Sequence, residues 1–338
     1  MKPATATSPK SELPPTLGPY HVLEPIGAGL GGMGELYLCY DPSLDRKVVV
    51  KRVPPGTSEE LLNRFHREAS ILSGVAHPGY AHVYRYWLVD QRPAMAMEFI
   101  DGLTLRELMD LRKVLPLDVT LCIGWSVMEA LRHAHLHGII HRDVKPANIV
   151  ISHSGQVKLL DFGVARFENH SDLTMPGMVV GTTSYMSAEQ AKGEDLDERS
   201  DIYSLALCMY EALLGVHPFR KDQPDATLTA LLTKTAKSLW FARPGTPFSV
   251  SRLISMSMSR NRNRRPRDGS AFLQMLDKSW SRVGRDREAY MAAYMAALRS
   301  GRPFETPLPR TSHPGWIWVL GGLFAGFAAG VGLTFLSR

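Results

Sequence analysis

Apolar and polar positions alternate over residues 19–100, with valine-rich runs such as "KVVVKRV" and methionine-rich ones such as "AMAMEFI". A period of two in such residues predicts strands. One stretch breaks the rhythm. In "SEELLNRFHREASILSG" the apolar positions Leu61, Leu62, Phe65, Ala69 and Leu72 recur at helical spacing, with Ser58 as N-cap and Gly74 as stop. From Leu103 onward the helical period dominates. "TLRELMDL" and "VTLCIGWSVMEALRHAHLHG" predict helices, and "RSDIYSLALCMYEALLG" predicts a long, mostly apolar one at the centre of a core. Two short strands, "NIVIS" and "VKLLD", interrupt them. A strand-rich part followed by a helix-rich part predicts an α+β architecture in two lobes. Further on, "SRVGRDREAYMAAYMAALRS" predicts an amphipathic helix, and "GRPFETPLPRTSHPG" an extended, proline-rich connector.

The two ends differ in kind. Residues 1–18, "MKPATATSPKSELPPTLG", are polar and proline-rich and lack the apolar stretch of a secretory signal. They predict a disordered leader. Trp316 to Leu336 contains no charge, and at helical rise it covers roughly 31 Å, the thickness of a hydrocarbon core. This predicts a transmembrane helix, with Trp316 and Trp318 at one interface. Arg299, Arg302 and Arg310 precede the span and only Arg338 follows it, so the N-terminal side is expected in the cytoplasm of a single-pass cell-membrane protein. Only Ser337 and Arg338 lie beyond, so no domain is expected on the far side. Gly322, Gly326 and Gly330 stand four apart, the pattern of a close-packing helix face, and predict a homodimer through the span.

Composition narrows the classes. The 338 residues are 44% hydrophobic and 21% charged, with a formal charge of +6. A mildly basic body suits anionic ligands, an anionic membrane surface or nucleic acid. The motifs that follow call for no nucleic-acid partner. Cys39, Cys122 and Cys208 are far apart and form no C-x-x-C pair, which argues against disulfides and zinc and for a reducing compartment. His133 and His137 share a helix face, but no carboxylate accompanies them and a metal is not expected there.

The chemistry begins with glycine. Gly29, Gly31 and Gly34 in "GLGGMGELY" would let backbone approach phosphate oxygens. Alone, any glycine-rich hairpin would look the same. Lys51 ends the run "VVVK", and Glu68 follows on the predicted helix, where an ion pair could hold the ammonium over phosphates. The segment "IIHRDVKPANIV" then gathers Asp143, Lys145 and Asn148 between apolar flanks. Asp143 can accept a hydroxyl proton, Lys145 can neutralise phosphoryl oxygens, and Asn148 offers a carbonyl oxygen to a hard cation. Asp161 in "LLDFG" adds a carboxylate suited to Mg2+. Positioning and charge neutralisation are what phosphoryl transfer needs.

In this order the motifs match the protein-kinase signatures. "GGMGELY", "HRDVKPANIV", "DFGVAR", "GTTSYMSAEQ" and "SDIYSLALCMYEALLG" resemble the bacterial Hanks-type serine/threonine protein kinases. The resemblance covers residues 19–280 and implies a two-lobed kinase fold. Its N-lobe would be 19–98, its hinge 98–102 and its C-lobe 103–280, followed by a juxtamembrane segment at 281–315. It implies ATP and Mg2+ as cofactors and proteins bearing Ser or Thr as substrates. Asp143 would be the catalytic base and Lys145 would steady the γ-phosphate. Asn148 and Asp161 would hold Mg2+, and Lys51 paired with Glu68 would hold ATP. Met97 would be the gatekeeper, the backbone of Glu98 and Ile100 would meet the adenine edge, and Leu36 and Val49 would line its faces. Asp201 would brace the catalytic loop, and Arg265 would pair with Glu189.

The pattern departs from the family in three places. "IGAGLGGMG" carries two extra residues, so Ile26-Gly27 and Gly29-Gly31-Gly34 offer competing registers; the second keeps the usual interval to Lys51. Val49 replaces the usual alanine and narrows the adenine pocket. Ser187-Ala188-Glu189 lacks the usual proline, which could loosen the end of the activation segment. Arg142 before Asp143 goes, in the family, with activation by phosphorylation. Thr174 is the expected autophosphorylation site among Ser171, Thr174, Thr182 and Thr183, and Thr182 is expected to bond Asp143 or Lys145. A pseudokinase scaffold at the membrane is the main rival, supported by the altered glycine loop. A small-molecule kinase is disfavoured by the peptide-docking look of "GTTSYMSAEQ".

Overall fold

The computed structural model describes residues 14–26, 35–53, 56–59, 62–63, 65–66, 77–160, 183–279 and 286–304. The N-terminal lobe is an antiparallel sheet of six strands: β1 Thr16–Leu17, β2 Tyr20–Pro25, β3 Glu35–Asp41, β4 Arg46–Arg52, β5 Val83–Val89 and β6 Arg92–Glu98. Their order is β1-β2-β3-β4-β6-β5. Alternation sorts the side chains between two faces. Tyr37, Cys39, Val48, Val50, Ala94 and Ala96 cluster on one, and Met95, Met97, Val83 and Phe65 on the other. Phe65 belongs to the predicted helix, whose first turn is closed by the Leu62 N–H donating to the Ser58 carbonyl at 3.1 Å.

The sheet begins earlier than the leader boundary at residue 18. Leu17 pairs with Tyr20 across the left-handed Gly18 and is fully buried. It is an isolated apolar residue after a proline pair, too short a signal to register as a strand.

A second sheet joins β7 Gly102–Thr104, β8 Ile149–Ser152 and β9 Val157–Leu159. Around it lie α1 Leu105–Arg112, α2 Leu117–Leu136, α3 Ala188–Lys192, α4 Arg199–Leu214, α5 Pro224–Thr233, α6 Leu239–Ala242, α7 Phe248–Ser257, α8 Gly269–Ser279 and α9 Arg287–Arg299. Thr104 starts α1 through a capping box with Glu107. Helix α4 is buried along almost its whole length, as its apolar composition demands, and stops at the left-handed Gly215. Gly124 of α2 admits the side chain of Met209 of α4 so closely that a Cβ would sit 2.5 Å from its sulfur.

Packing continues past residue 280, where the sequence resemblance ends. Met291, Tyr294 and Met295 of α9 are buried in the same core as α2 and α4, and Phe304 packs edge-on against Tyr290 and Tyr294. The apolar stretch Trp316–Leu336 lies outside the described residues. Among the described residues no helix is long and apolar enough to cross a membrane.

Candidate active site

The segment from His141 to Asn148 connects α2 to β8. Its polar residues are anchored at both ends. Ile149 and Ile151 of β8 are fully buried, a short 3-10 turn spans Pro146–Asn148, and the Leu160 N–H donates to the Asn148 carbonyl at 2.7 Å. The apolar flanks therefore fix the loop against the core, while its side chains meet one another. Lys145 Nζ lies 2.8 Å from Asp143 Oδ2. Asn148 Nδ2 donates to the Asp143 carbonyl at 2.9 Å and to Asp143 Oδ2 at 3.1 Å. The side-chain amide nitrogen is thus directed at Asp143, which leaves the side-chain oxygen Oδ1 of Asn148 as the group able to meet a cation.

Asp201, in the first turn of α4, organises the loop from beneath. Its carboxylate accepts from the His141 N–H at 2.8 Å, the Arg142 N–H at 2.9 Å and His135 Nε2 at 2.8 Å. Burial alone would raise its pKa, but the hydrogen bond and charge of His135, with the His141 side and main chain, hold it below the usual 3.8. Arg142 sits at φ 65, a strained conformation for a residue with a Cβ. It is gripped on both sides: its N–H by Asp201, and its carbonyl by Gln190 Nε2 at 2.8 Å. His141 is fully buried. Asp143 N–H reaches its Nδ1 at 3.3 Å, which leaves the Nε2 proton for the Leu160 carbonyl at 3.1 Å.

Above the loop, one face of the N-terminal sheet carries further expected residues. Lys51 is opposite Leu36 and Met95, and Val49 is opposite Leu38 and Met97. Residues directly opposite in an antiparallel sheet share a face, so Leu36, Val49, Lys51 and Met97 stand together. Lys51 and Met97 are buried. The Ile26 N–H donates to the Leu36 carbonyl at 2.8 Å and closes the glycine loop at its base.

The strand β6 ends at Glu98, and Ile100 follows in the connector to β7. The Glu98 N–H donates to the His82 carbonyl at 2.8 Å. The Glu98 carboxylate is held by Lys158 Nζ at 2.6 and 2.7 Å.

Glu189 lies at the start of α3. Arg265 grips it in bidentate fashion at 2.5 and 2.8 Å, and Ser200 Oγ donates at 2.7 Å. Burial would raise the Glu189 pKa, but these bonds and the guanidinium charge lower it to about 2. The missing proline before Glu189 has a counterpart in Ser187. It caps α3 in a reciprocal box with Gln190, which fixes the end of the segment by another means.

Gly27, Gly29, Gly31, Gly34, Glu68, Asp161, Thr174 and Thr182 lie outside the described residues. Two partners were not legible in the sequence. His135 stands between the two histidines that drew notice, on the opposite helix face, and only the fold shows that it meets Asp201. Lys158 looks like any strand lysine. The His133 and His137 rings lie 4.7 Å apart, tilted by 49°, and His137 Nδ1 lies 2.9 Å from the His133 carbonyl.

This constellation is that of a protein kinase domain, and comparison with known proteins agrees. The family model described as protein kinase domain matches residues 20–281, and the chain belongs to that family. Within it, the chain stands with the Hanks-type bacterial serine/threonine kinases. It is 42% identical over 224 residues to a probable serine/threonine-protein kinase of Streptomyces coelicolor, covering 64% of this chain and 33% of that protein. It is 35% identical over 239 residues to the serine/threonine-protein kinase PrkC of Bacillus subtilis, covering 70% and 37%. It is 34% identical over 291 residues to PknA of Mycobacterium tuberculosis, covering 84% and 63%. The chain thus spans about a third of the length of the first two relatives.

Proposed function

We propose that this chain is a membrane-anchored serine/threonine protein kinase that transfers the γ-phosphoryl group of ATP to Ser or Thr hydroxyls of proteins, itself included. The observation that carries this reading is the triad of Asp143, Lys145 and Asn148, locked together and held from below by Asp201. Asp143 takes the proton of the attacking hydroxyl as its oxygen bonds to the γ-phosphorus and the bond from that phosphorus to the bridging oxygen breaks, releasing ADP. Lys145 balances the charge of the transferred group. Lys51, buried on the sheet face with Val49 and Met97, meets the phosphates with Glu68 as its partner, and Glu98 and Ile100 present backbone to the adenine edge.

The donor set fits Mg2+: an amide oxygen on Asn148, freed by the use of its nitrogen, and the carboxylate of Asp161 just past Leu160 are hard oxygen ligands. When bound, the ion supplies charge neutralisation on the phosphoryl oxygens. Arg142 receives a phosphorylated activation segment, with Thr174 the modified residue and Thr182 bonded at the catalytic loop. Trp316–Leu336 anchors the chain, with the kinase domain cytoplasmic, and Gly322, Gly326 and Gly330 pair two spans.

The longer glycine loop, closed between Ile26 and Leu36, favours the rival reading of a scaffold without catalysis. Radiolabel transfer from ATP separates the two. Wild-type chain labels itself and a generic protein acceptor, and Asp143→Asn lowers the rate by about 10²–10⁴-fold. Equal labelling by wild type and Asp143→Asn would refute the assignment. Membrane fractionation tests the anchor: the full chain partitions with membranes after a high-salt wash, and a chain ending at residue 304 does not.

A further inference from the structure

The stretch from Arg260 to Arg267 holds five arginines, and the fold sorts them into two groups. Arg265 binds Glu189 at 2.5 Å, Arg262 binds Glu194 at 3.3 Å and Asp197 at 3.6 Å, and Arg267 binds Asp268 at 2.9 Å. Arg260 and Arg264 have no carboxylate within 4.0 Å among the described residues. Together with Lys234 and Lys237 they line one cavity of about 450 Å3 in the helical lobe. Among the described residues no Asp or Glu lines it. All four are exposed and screened by solvent, and with no counter-charge lining the concavity they leave it net positive.

The cavity is preformed. The buried Arg265 donates to the Ser259 carbonyl at 2.8 Å and to the Arg260 carbonyl at 3.4 Å, which fixes one wall. Tyr210 donates its hydroxyl to the Lys237 carbonyl at 2.9 Å, and Arg260 Nη1 to the Leu232 carbonyl at 3.0 Å, which fixes the facing segment. Tyr210, Phe219 and Met258 give the interior an apolar surface, and Ser255, Ser259 and Asn261 add neutral hydrogen-bonding groups. The volume is in the range of small-molecule sites, which combine apolar walls with a few polar anchors. No residue of the 141–148 loop or of the N-terminal sheet lines it, so it is distinct from the candidate active site.

We propose that this cavity binds a small phosphorylated anion: one or two phosphoryl groups held by Lys234, Lys237, Arg260 and Arg264, with an apolar body against Tyr210, Phe219 and Met258. The ligand chemistry is that of a soluble diphosphate or of a glycerophosphate headgroup, and the same experiment distinguishes them. The inference does not rest on catalytic activity, since it concerns a separate part of the lobe.

The test is calorimetric titration of the full chain, in detergent, with inorganic pyrophosphate and with glycerol 3-phosphate. Lys234→Ser, Lys237→Ser and Arg264→Ser are combined in one variant; all three side chains are exposed. The control is Arg267→Ser, which removes the same kind of charge outside the cavity. Wild type is expected to bind pyrophosphate, the combined variant to bind at least about tenfold more weakly, and the control to stay within about twofold. Glycerol 3-phosphate binding with the same variant sensitivity assigns the headgroup; binding of pyrophosphate alone assigns the soluble diphosphate. The proposal is overturned if wild type does not bind either probe at millimolar concentration, if the combined variant binds like wild type, or if the control loses as much affinity as the combined variant. Should the combined variant fail to fold, Lys237→Ser and Arg264→Ser taken singly are each expected to weaken binding about threefold, and no weakening in either has the same negative force.

Discussion

At the scale of single residues, spacing in the sequence was enough to group Asp143, Lys145 and Asn148, because a short loop between two buried strands or helices cannot spread them far apart. Partners that arrive from distant segments were harder. Arg265 and Glu189 were paired through resemblance, and His135 and Lys158 were not paired at all. Nothing local marks a histidine on a helix as the partner of an aspartate 66 positions away. The buried pair Glu189–Arg265 yields a pH prediction. In the unfolded chain Glu189 titrates near the usual 4.5, and in the folded chain at about 2. Between these values the unfolded state holds more protons, so the pair's stabilisation is full above 4.5 and is lost as pH falls toward 2. Urea midpoints measured down this range should fall in wild type and fall less steeply in Glu189→Gln. The slope does not vanish, because Asp201 and Glu211 also titrate below their usual values. At neutral pH, Arg265→Ala should cost about 3–5 kcal/mol by leaving a buried carboxylate unpaired. An unchanged slope in Glu189→Gln would show that the pair does not govern acid stability.

At the scale of elements, periodicity served well where a segment is long and one face is apolar, as in α2 and α4. It served poorly where two residues make a strand, as with Leu17, because two positions carry no period. Helix α4 connects stability to the site. Asp201 and Glu211, which accepts from the buried Tyr185 hydroxyl, lie in one rigid element, so the two ends of the helix act together. Arg106 and Arg220 brace the Glu211 end at 3.1 and 3.2 Å, and Asp201 holds the loop at the other. Asp201→Asn keeps the shape but turns an acceptor into a donor against a backbone N–H. It should cost about 1–3 kcal/mol of stability through an unsatisfied buried group. Because Arg142 is held at φ 65 by that bond, the loop relaxes and kcat should fall at least about tenfold. The affinity for ATP, set largely by the other lobe, should change little. A variant with normal kcat in its folded fraction would show that Asp201 stabilises the fold without positioning the loop.

At the scale of the whole molecule, the kinase-like body does not stop where the family resemblance does. Helix α9 was legible as amphipathic, but an amphipathic face predicts burial without naming what it is buried against. The structure supplies the surface. Gly155, in the turn between β8 and β9, has φ +94, and a Cβ built on it would lie 2.1 Å from the Glu288 carbonyl oxygen and 2.5 Å from the Ala292 nitrogen. Arg287 stacks on Trp125 with its guanidinium carbon 3.5 Å from the ring centroid, while Met291 and Met295 enter the core. Backbone against backbone leaves no side chain to yield, so Gly155→Ala must either move α9 or distort the hairpin that carries β8, the strand leaving the 141–148 loop. Two effects then add: the strained backbone, of order 1–3 kcal/mol, and the displaced helix. A double-mutant cycle separates them. Met291→Ser with Met295→Ser loosens α9, and adding Gly155→Ala to that background should cost less than adding it to wild type, with a coupling of about 0.5–3 kcal/mol. Strict additivity in chemical denaturation would mean that the turn is strained on its own account and that α9 does not bear on it. Coupling would instead make α9 part of the unit that holds the hairpin beneath the site, so that a chain cut at residue 280 should show both a lower unfolding midpoint and a slower phosphoryl transfer than one cut at residue 304.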